Sequence, residues 1–195
     1  MNITFTENTH PGTLPPSDQL GFGSVFTDHM FLMDYSAGKG WHDARIVPYG
    51  PVELMPSAMV LHYGQEIFEG LKAYRCPDGK VRVFRMDENA ARLQSTCRGI
   101  MMPEVPTEMF EEMVKKVVRL NQEWIPTYES GATLYIRPLL IGTSAQVGVH
   151  PATEYCFLIF VTPVGPYFKG GFSTNPYVII RDFDRSAPLG TGIYK

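Results

Sequence analysis

The most regular apolar pattern in the chain covers residues 107–124. Large apolar side chains recur there three or four residues apart, at Phe110, Met113, Val117, Leu120 and Trp124. Glutamates stand early in the segment and basic side chains late, which suits the helix dipole. The pattern predicts one amphipathic helix, supported by the i,i+4 pairs Glu111–Lys115 and Glu112–Lys116.

Segments rich in β-branched and aromatic residues lie on both sides of this helix and predict strands. They cover residues 23–35, 45–54, 133–141, 155–161 and 177–182. Residues 71–75 and 80–85 flank the sequence Cys-Pro-Asp-Gly and predict a hairpin, because Pro presets a turn and Gly accepts a positive φ. Strands and helices together predict an α/β (α+β) fold.

Two more helices are predicted. One covers residues 59–71, and the other covers residues 88–98, with Asp87 as its cap and Gly99 ending it in the left-handed conformation. Proline and glycine then concentrate in residues 163–171, which marks a linker. We expect a small N-terminal domain over residues 1–162, a linker over 163–175, and the beginning of a larger domain over 176–195.

Composition excludes several classes of protein. With 44% hydrophobic and 19% charged residues the chain is typical of a globular protein, and its net charge of −3 without a basic block predicts no nucleic-acid or anionic-membrane partner. Cys76, Cys97 and Cys156 are odd in number and form no C-x-x-C, which predicts neither a disulfide framework nor a zinc site. No segment has the pattern of a signal peptide or membrane span. We expect a cytoplasmic protein with a small ligand.

The end of the chain carries a candidate nucleophile. Residues 185–194 place a proline and two glycines just before Lys195, in a backbone that other groups can approach closely. A neutral lysine amine held there can form a Schiff base with an aldehyde, while a surface lysine in a loop is the commoner origin of such a pattern. A phosphate loop is excluded, because G-x-x-x-x-G-K-[ST] is not present.

Arg85 is a candidate anion ligand. Alternation along residues 80–85 places it on the same strand face as Val81 and Val83. Its planar forked donors suit an anion. The alternative is a strand-end guanidinium paired with Asp87 or Glu88.

Residues 133–138 offer a second candidate site. Leu134 and Ile136 share the core face, so Tyr135 and Arg137 stand side by side on the other. A phenol beside a guanidinium can bind a carboxylate, or it can simply form a solvated strand face with aromatic cover. Asp28 and His29 give no hydrolase site, because adjacent strand residues face opposite ways and no G-x-S-x-G motif is present. Metal-ligand spacings are absent as well.

The sequence HYGQEIFEGLKAY at residues 62–74, with VRVFR at 81–85, closely resembles the branched-chain aminotransferases of PLP fold type IV. Other segments resemble that family in the same order along the chain. They are residues 22–23, 26–30, 134–138 and 165–168, and the sequence GTG at 190–192 leading to Lys195.

The resemblance implies transamination of leucine, isoleucine and valine with 2-oxoglutarate, using pyridoxal 5'-phosphate (PLP), by a homodimer with shared active sites. It makes Lys195 the Schiff-base lysine, Arg85 the ligand of the cofactor phosphate, and Arg185 a further residue near the cofactor. Tyr63 and Val149 would reach into the partner subunit's site. The substrate pocket implied by the resemblance consists of Phe22, Tyr63, Phe68, Tyr135, Arg137, Val149 and Tyr167.

The family pattern continues past the lysine into a second domain that supplies further cofactor contacts. We therefore expect either a piece of a longer polypeptide or a truncated relative. Two alternatives within the fold are a D-amino-acid aminotransferase and an aminodeoxychorismate lyase, which FEGLKAY and LYIRP fit less well. A catalytically silent dimerisation or binding module is the alternative from a different class.

Overall fold

The computed structural model describes residues 2–168 and 174–195. Its strands are β1 (Thr4–Phe5), β2 (His29–Ser36), β3 (Gly40–Pro48), β4 (Glu66–Phe68), β5 (Leu71–Arg75), β6 (Val81–Val83), β7 (Thr133–Gly142) and β8 (Glu154–Val164). Its helices are α1 (Met59–Tyr63), α2 (Met86–Gly99) and α3 (Thr107–Leu120). Short 3-10 turns occur at Ser17–Gln19, Gln122–Trp124 and Tyr128–Ser130.

These strands form one open sheet in the order β1-β3-β2-β8-β7-β5-β6, and β4 also pairs with β7. The pairs are antiparallel, apart from the parallel pair of β1 with β3. β7 and β8 are the longest strands, and β8 is buried along almost its whole length. The predicted α/β (α+β) fold is confirmed, and its sheet is open.

The main core lies between the sheet and the helices α2 and α3. Phe110 of α3 packs against Phe157 of β8, with ring centroids 6.4 Å apart, and Phe31 of β2 meets the same ring from its own strand. All three side chains are fully buried. Burying one such side chain stabilises a fold by about 1.5–3 kcal/mol, so the apolar stripe of α3 explains why this helix lies on the sheet.

The end of α3 is set by a tertiary contact. The buried Asn121 side chain accepts a hydrogen bond from the backbone N–H of His29, at 3.1 Å, and donates one to the His29 carbonyl, at 3.2 Å. These bonds tie the chain to β2, so the predicted helix ends at Leu120 and Trp124 falls in the 3-10 turn that follows. The predicted pairs Glu111–Lys115 and Glu112–Lys116 are present, each at 2.8 Å.

The prediction of a helix over residues 59–71 is wrong beyond its first turn. Gly64 adopts the left-handed conformation, with φ 60°, and ends α1 at Tyr63. The following residues pair with β7 as β4 and β5. Hydrogen bonds to a strand far along the chain therefore outweigh the local helical pattern, and the segment FEGLKA runs along the sheet.

The strand prediction for residues 80–85 is wrong at its end. Arg85 has φ 45° and leaves the strand direction, so β6 stops at Val83 and Arg85 is the N-cap residue of α2. Asp87 therefore lies inside α2 and does not cap it. Gly99 is the last residue of α2, but it does not adopt the predicted left-handed conformation. Met101 has the positive φ in this segment, at 60°.

The remaining strand predictions differ in extent. The strand predicted over residues 23–35 corresponds to β2, which starts only at His29. The strand predicted over residues 45–54 corresponds to β3, which ends at Pro48. The predicted strand over residues 177–182 is absent, since those residues are exposed and pair with no strand in the described part of the chain. Residues 169–173 of the predicted linker lie outside the described residues, and the division into domains stays a prediction. No helix in residues 2–168 and 174–195 is long and apolar enough to cross a membrane.

Candidate active site

The central feature of the site is the pair Tyr135 and Arg137 on β7. Leu134 and Ile136 are fully buried on the core face, so alternation turns Tyr135 and Arg137 to the other face. The Arg137 Nη2 atom donates a hydrogen bond to the Tyr135 hydroxyl at 3.0 Å. The prediction that these two side chains stand together is confirmed.

Phe68 completes this cluster from β4. The Arg137 guanidinium carbon lies 4.3 Å from the centroid of the Phe68 ring and 5.3 Å from that of Tyr135, so the cation is held against two aromatic rings. The Arg137 Nε atom is buried and has no hydrogen-bond partner among the described residues. A buried N–H without an acceptor is costly, and an anionic ligand beside Arg137 would satisfy it.

Lys195 reaches the same ring from the end of the chain. Its Nζ atom lies 4.4 Å from the Phe68 centroid, and its backbone N–H donates to the Thr96 hydroxyl at 3.3 Å. The Phe68 ring is therefore in contact with two basic side chains, Arg137 and Lys195. Neither forms an ion pair with a carboxylate in the part of the chain that the structure describes.

A glycine allows this return of the chain. The Tyr194 ring packs so closely on Gly99 that a Cβ atom there would lie 2.0 Å from the ring atom Cε1. Any other residue at position 99 would push Tyr194, and with it Lys195, away from α2. A cavity of about 340 Å³ lies at this contact and is lined by Lys195, Tyr194, Thr96 and Tyr63, among others.

Phe22 and Tyr167 lie on the other side of Tyr135. The rings of Phe22 and Tyr135 meet edge to face, with centroids 5.2 Å apart. Phe22, Tyr135 and Tyr167 line a mainly apolar cavity of about 440 Å³. Gly165 lets the chain pass at this point, because a Cβ atom there would lie 2.5 Å from the Leu20 carbonyl oxygen.

Other predicted site residues lie outside this cluster. Arg85 pairs with Glu88, which was the alternative left open by the sequence, although both side chains are well exposed and line a cavity of about 380 Å³. Arg185 is exposed. Val149 is 92% exposed in the connection between β7 and β8. In this single chain, these three side chains do not meet Phe68.

A buried carboxylate beside the site was not predicted from the sequence. Glu69 is fully buried between Phe68 and Gly70 and is bound by Arg92 and Asn89 of α2. The hydrogen bond from Arg92 to the Glu69 carboxylate raises the pKa of Arg92. The signal was present in the sequence, because an acidic residue interrupts the alternating apolar positions 67, 71 and 73. It becomes visible only when this segment is taken as a strand.

Comparison with known proteins identifies close relatives, although no protein-family model matches the chain. The branched-chain-amino-acid aminotransferase of Mycolicibacterium smegmatis is 44% identical and aligns with 100% of this chain and 54% of its own length. That of Mycobacterium tuberculosis H37Rv is 47% identical over 90% of this chain and 48% of its own. That of Haemophilus influenzae is 46% identical over 90% of this chain and 50% of its own.

Solved structures agree in fold. The branched-chain aminotransferase of Thermoproteus uzoniensis with norvaline has a TM-score of 0.55 at 23% identity, covering 71% of this chain and 43% of its own. That of Escherichia coli has a TM-score of 0.53 at 24% identity, covering 69% and 40%. A branched-chain amino acid aminotransferase of T.th. with pyridoxamine 5'-phosphate has a TM-score of 0.52 at 25% identity, covering 69% and 40%.

This chain spans about half the length of the curated relatives it matches. The matches cover nearly the whole of the chain, and they include the segments that carry Phe68, Tyr135 and Arg137. By sequence, the chain is similar over nearly its whole length to branched-chain-amino-acid aminotransferases, and its fold is similar to that of solved structures with this name.

Proposed function

We propose that the polypeptide containing this chain transaminates leucine, isoleucine and valine with 2-oxoglutarate, using PLP. The observation that carries the proposal is the cluster in which Lys195 and Arg137 lie on the one Phe68 ring, at 4.4 and 4.3 Å. A primary amine and a carboxylate-binding cation side by side are what an amino-acid substrate requires. The similarity to branched-chain-amino-acid aminotransferases and the pyridoxamine 5'-phosphate in the T.th. relative support the choice of cofactor.

The residues present fit this cofactor. The unsatisfied Nε atom of Arg137 calls for an anion beside Lys195, and Lys195 has no carboxylate partner among the described residues. We propose that Lys195 holds the aldehyde carbon of PLP and Arg85 its phosphate, with Arg185 as a further contact. Bound PLP supplies the electron sink for a reaction at the substrate α-carbon, and Lys195 Nζ carries the proton.

The same pocket must accept an apolar side chain and a carboxylate in turn. In this proposal Phe22, Phe68 and Tyr167 provide the apolar surface for leucine. Arg137 and Tyr135 provide donors for the side-chain carboxylate of glutamate or 2-oxoglutarate. When leucine is bound, Arg137 rests on the two aromatic rings and on the Tyr135 hydroxyl, which reduces the cost of a buried unpaired charge.

We further propose a homodimer in which Tyr63 and Val149 contribute to the partner subunit's site. Both side chains are exposed in the single chain, and Val149 almost completely. We also propose the division into a domain over 1–162, a linker over 163–175 and the start of a second domain over 176–195. The free cysteines of the described residues support a reducing, cytoplasmic setting.

Two measurements on the full-length polypeptide test the proposal. Borohydride reduction followed by peptide mapping should find pyridoxyl on Lys195, and label on a different lysine would contradict it. A panel of L- and D-amino acids with 2-oxoglutarate should show turnover of leucine, isoleucine and valine only. Preference for a D-amino acid or cleavage of aminodeoxychorismate would favour the other enzymes of this fold, and absence of PLP binding would favour a silent module.

A further inference from the structure

Glu69 lies in an apolar row on the core face of the sheet. β4 and β5 keep one continuous register with β7, and the Glu69 backbone N–H donates to the Pro138 carbonyl at 2.9 Å between them. Alternation then places Glu69 on the same face as Ile67, Leu71 and Ala73, all of which are buried. A carboxylate at such a position has lost its water and depends on protein donors.

Helix α2 supplies those donors. Arg92 Nε donates to Glu69 Oε1 at 2.6 Å, and Arg92 Nη2 donates to Oε2, so the guanidinium binds the carboxylate with two parallel bonds. Asn89 Nδ2 donates to Oε2 at 2.9 Å, and the Gly70 backbone N–H does so at 3.3 Å. Because Asn89 and Arg92 are three residues apart, they lie on one face of the helix and both bind Glu69.

The residues on either side of Glu69 form part of the candidate active site. Phe68 carries both Arg137 and Lys195 on its ring. Gly70 touches Tyr135, and a Cβ atom at position 70 would lie 2.4 Å from the Tyr135 hydroxyl oxygen. The Glu69 carboxylate is thus bound by Asn89 and Arg92 on the core side. Both of its chain neighbours contact the proposed ligand-binding side chains on the other side.

We propose that Glu69 is a positioning residue for the substrate pocket, and that its bonds to Arg92 and Asn89 fix the Phe68 ring and the Gly70 backbone relative to Arg137 and Tyr135. This inference rests on the proposed function for its substrate. A purely structural ion pair would stabilise the fold without affecting how the pocket discriminates between leucine and glutamate. The two roles therefore differ in a measurable way.

The experiment compares Glu69→Gln and Arg92→Lys with the control Asp34→Asn in the full-length polypeptide. Asp34 pairs with Arg45 at 2.7 Å between β2 and β3, so the control also loses a partly buried ion pair of the sheet. Arg92→Lys keeps one charge on a half-exposed side chain, and it remains informative if Glu69→Gln does not fold. Single-turnover rate constants for the leucine and glutamate half-reactions are measured separately, together with melting temperatures.

We expect the glutamate half-reaction to fall by about 10- to 100-fold relative to the leucine half-reaction in both test variants, because a misplacement of about 1 Å in a site can cost about 100-fold. The directional hydrogen bonds from Arg137 and Tyr135 to a carboxylate tolerate such a misplacement less than the apolar contacts of leucine do. Asp34→Asn should leave the ratio unchanged. Equal losses of both half-reactions, or a loss of melting temperature alone, would overturn the inference and leave a structural ion pair.

An activity-independent measurement separates this inference from the proposed function. Amide hydrogen exchange of residues 66–71 should speed up in Glu69→Gln and not in Asp34→Asn, because the bond from the Glu69 N–H to Pro138 loosens. Unchanged exchange would overturn the inference even in an active transaminase. If the wild type reacts with no branched-chain amino acid, the proposed function fails, while the exchange rates still show whether Glu69 holds residues 66–71 in place.

Discussion

Replacing Arg137 by glutamine tests how the pocket handles two kinds of substrate. In the structure Arg137 bonds the Tyr135 hydroxyl and lies on the Phe68 ring, and its buried Nε has no partner among the described residues. A hydrogen bond to a charged group contributes about 1.5–3 kcal/mol. Arg137→Gln should therefore slow the glutamate or 2-oxoglutarate half-reaction by about 10- to 150-fold.

Leucine should lose much less, because Arg137 makes no charge-assisted bond to an apolar side chain. The lost stacking on Phe68 contributes about 0.5–1 kcal/mol and affects both substrates alike. The assay is the single-turnover rate constant of each half-reaction, with the fold checked by cofactor content. Arg137→Lys, which keeps the charge and loses the fork, should fall between wild type and Arg137→Gln. Equal slowing of both half-reactions would refute the role of Arg137 as carboxylate reader.

Three further predictions concern other parts of the chain. Arg85→Ala should weaken PLP retention by roughly 10- to 150-fold in equilibrium dialysis if Arg85 binds the phosphate, and unchanged affinity in a folded variant would contradict this role. Gly99→Ala should displace Tyr194, whose ring occupies the space of the new Cβ atom, and should reduce borohydride labelling of Lys195. Burial raises the pKa of Cys97 to about 12. Its thiolate at pH 8 is then roughly 1000-fold rarer than that of an ordinary thiol, so alkylation followed by mass spectrometry should modify the half-buried Cys76 first, and equal rates would contradict the burial.

Local patterns predicted those elements whose stability is mostly local. The apolar spacing of α3, the turn between β5 and β6, and the alternation that pairs Tyr135 with Arg137 all involve residues within one or two turns or pleats of each other. Each is found in the structure, because a helix or hairpin of this kind carries its own signals of periodicity, charge and turn chemistry.

Residues 66–68 could not be assigned in the same way. Their strand conformation depends on pairing with β7, whose residues lie more than sixty positions later in the chain. Without that partner, the mixture of aromatic and charged side chains in HYGQEIFEGLKAY is compatible with a helix. The resemblance to a family placed Phe68 in the substrate pocket even though the local conformation predicted for it was wrong.

Two departures from local rules lie at the candidate site. Glu69 interrupts an apolar strand row, and Arg137 is a cation with a buried N–H that no described residue satisfies. Each departure costs stability in the folded chain, and only Glu69 recovers that cost through the donors of α2. In the proposed function, an anionic substrate bound by Arg137 would offset the cost that the donors of α2 do not offset. The exposed salt bridges elsewhere, such as Arg98–Glu104, involve no comparable burial and need no ligand to explain them.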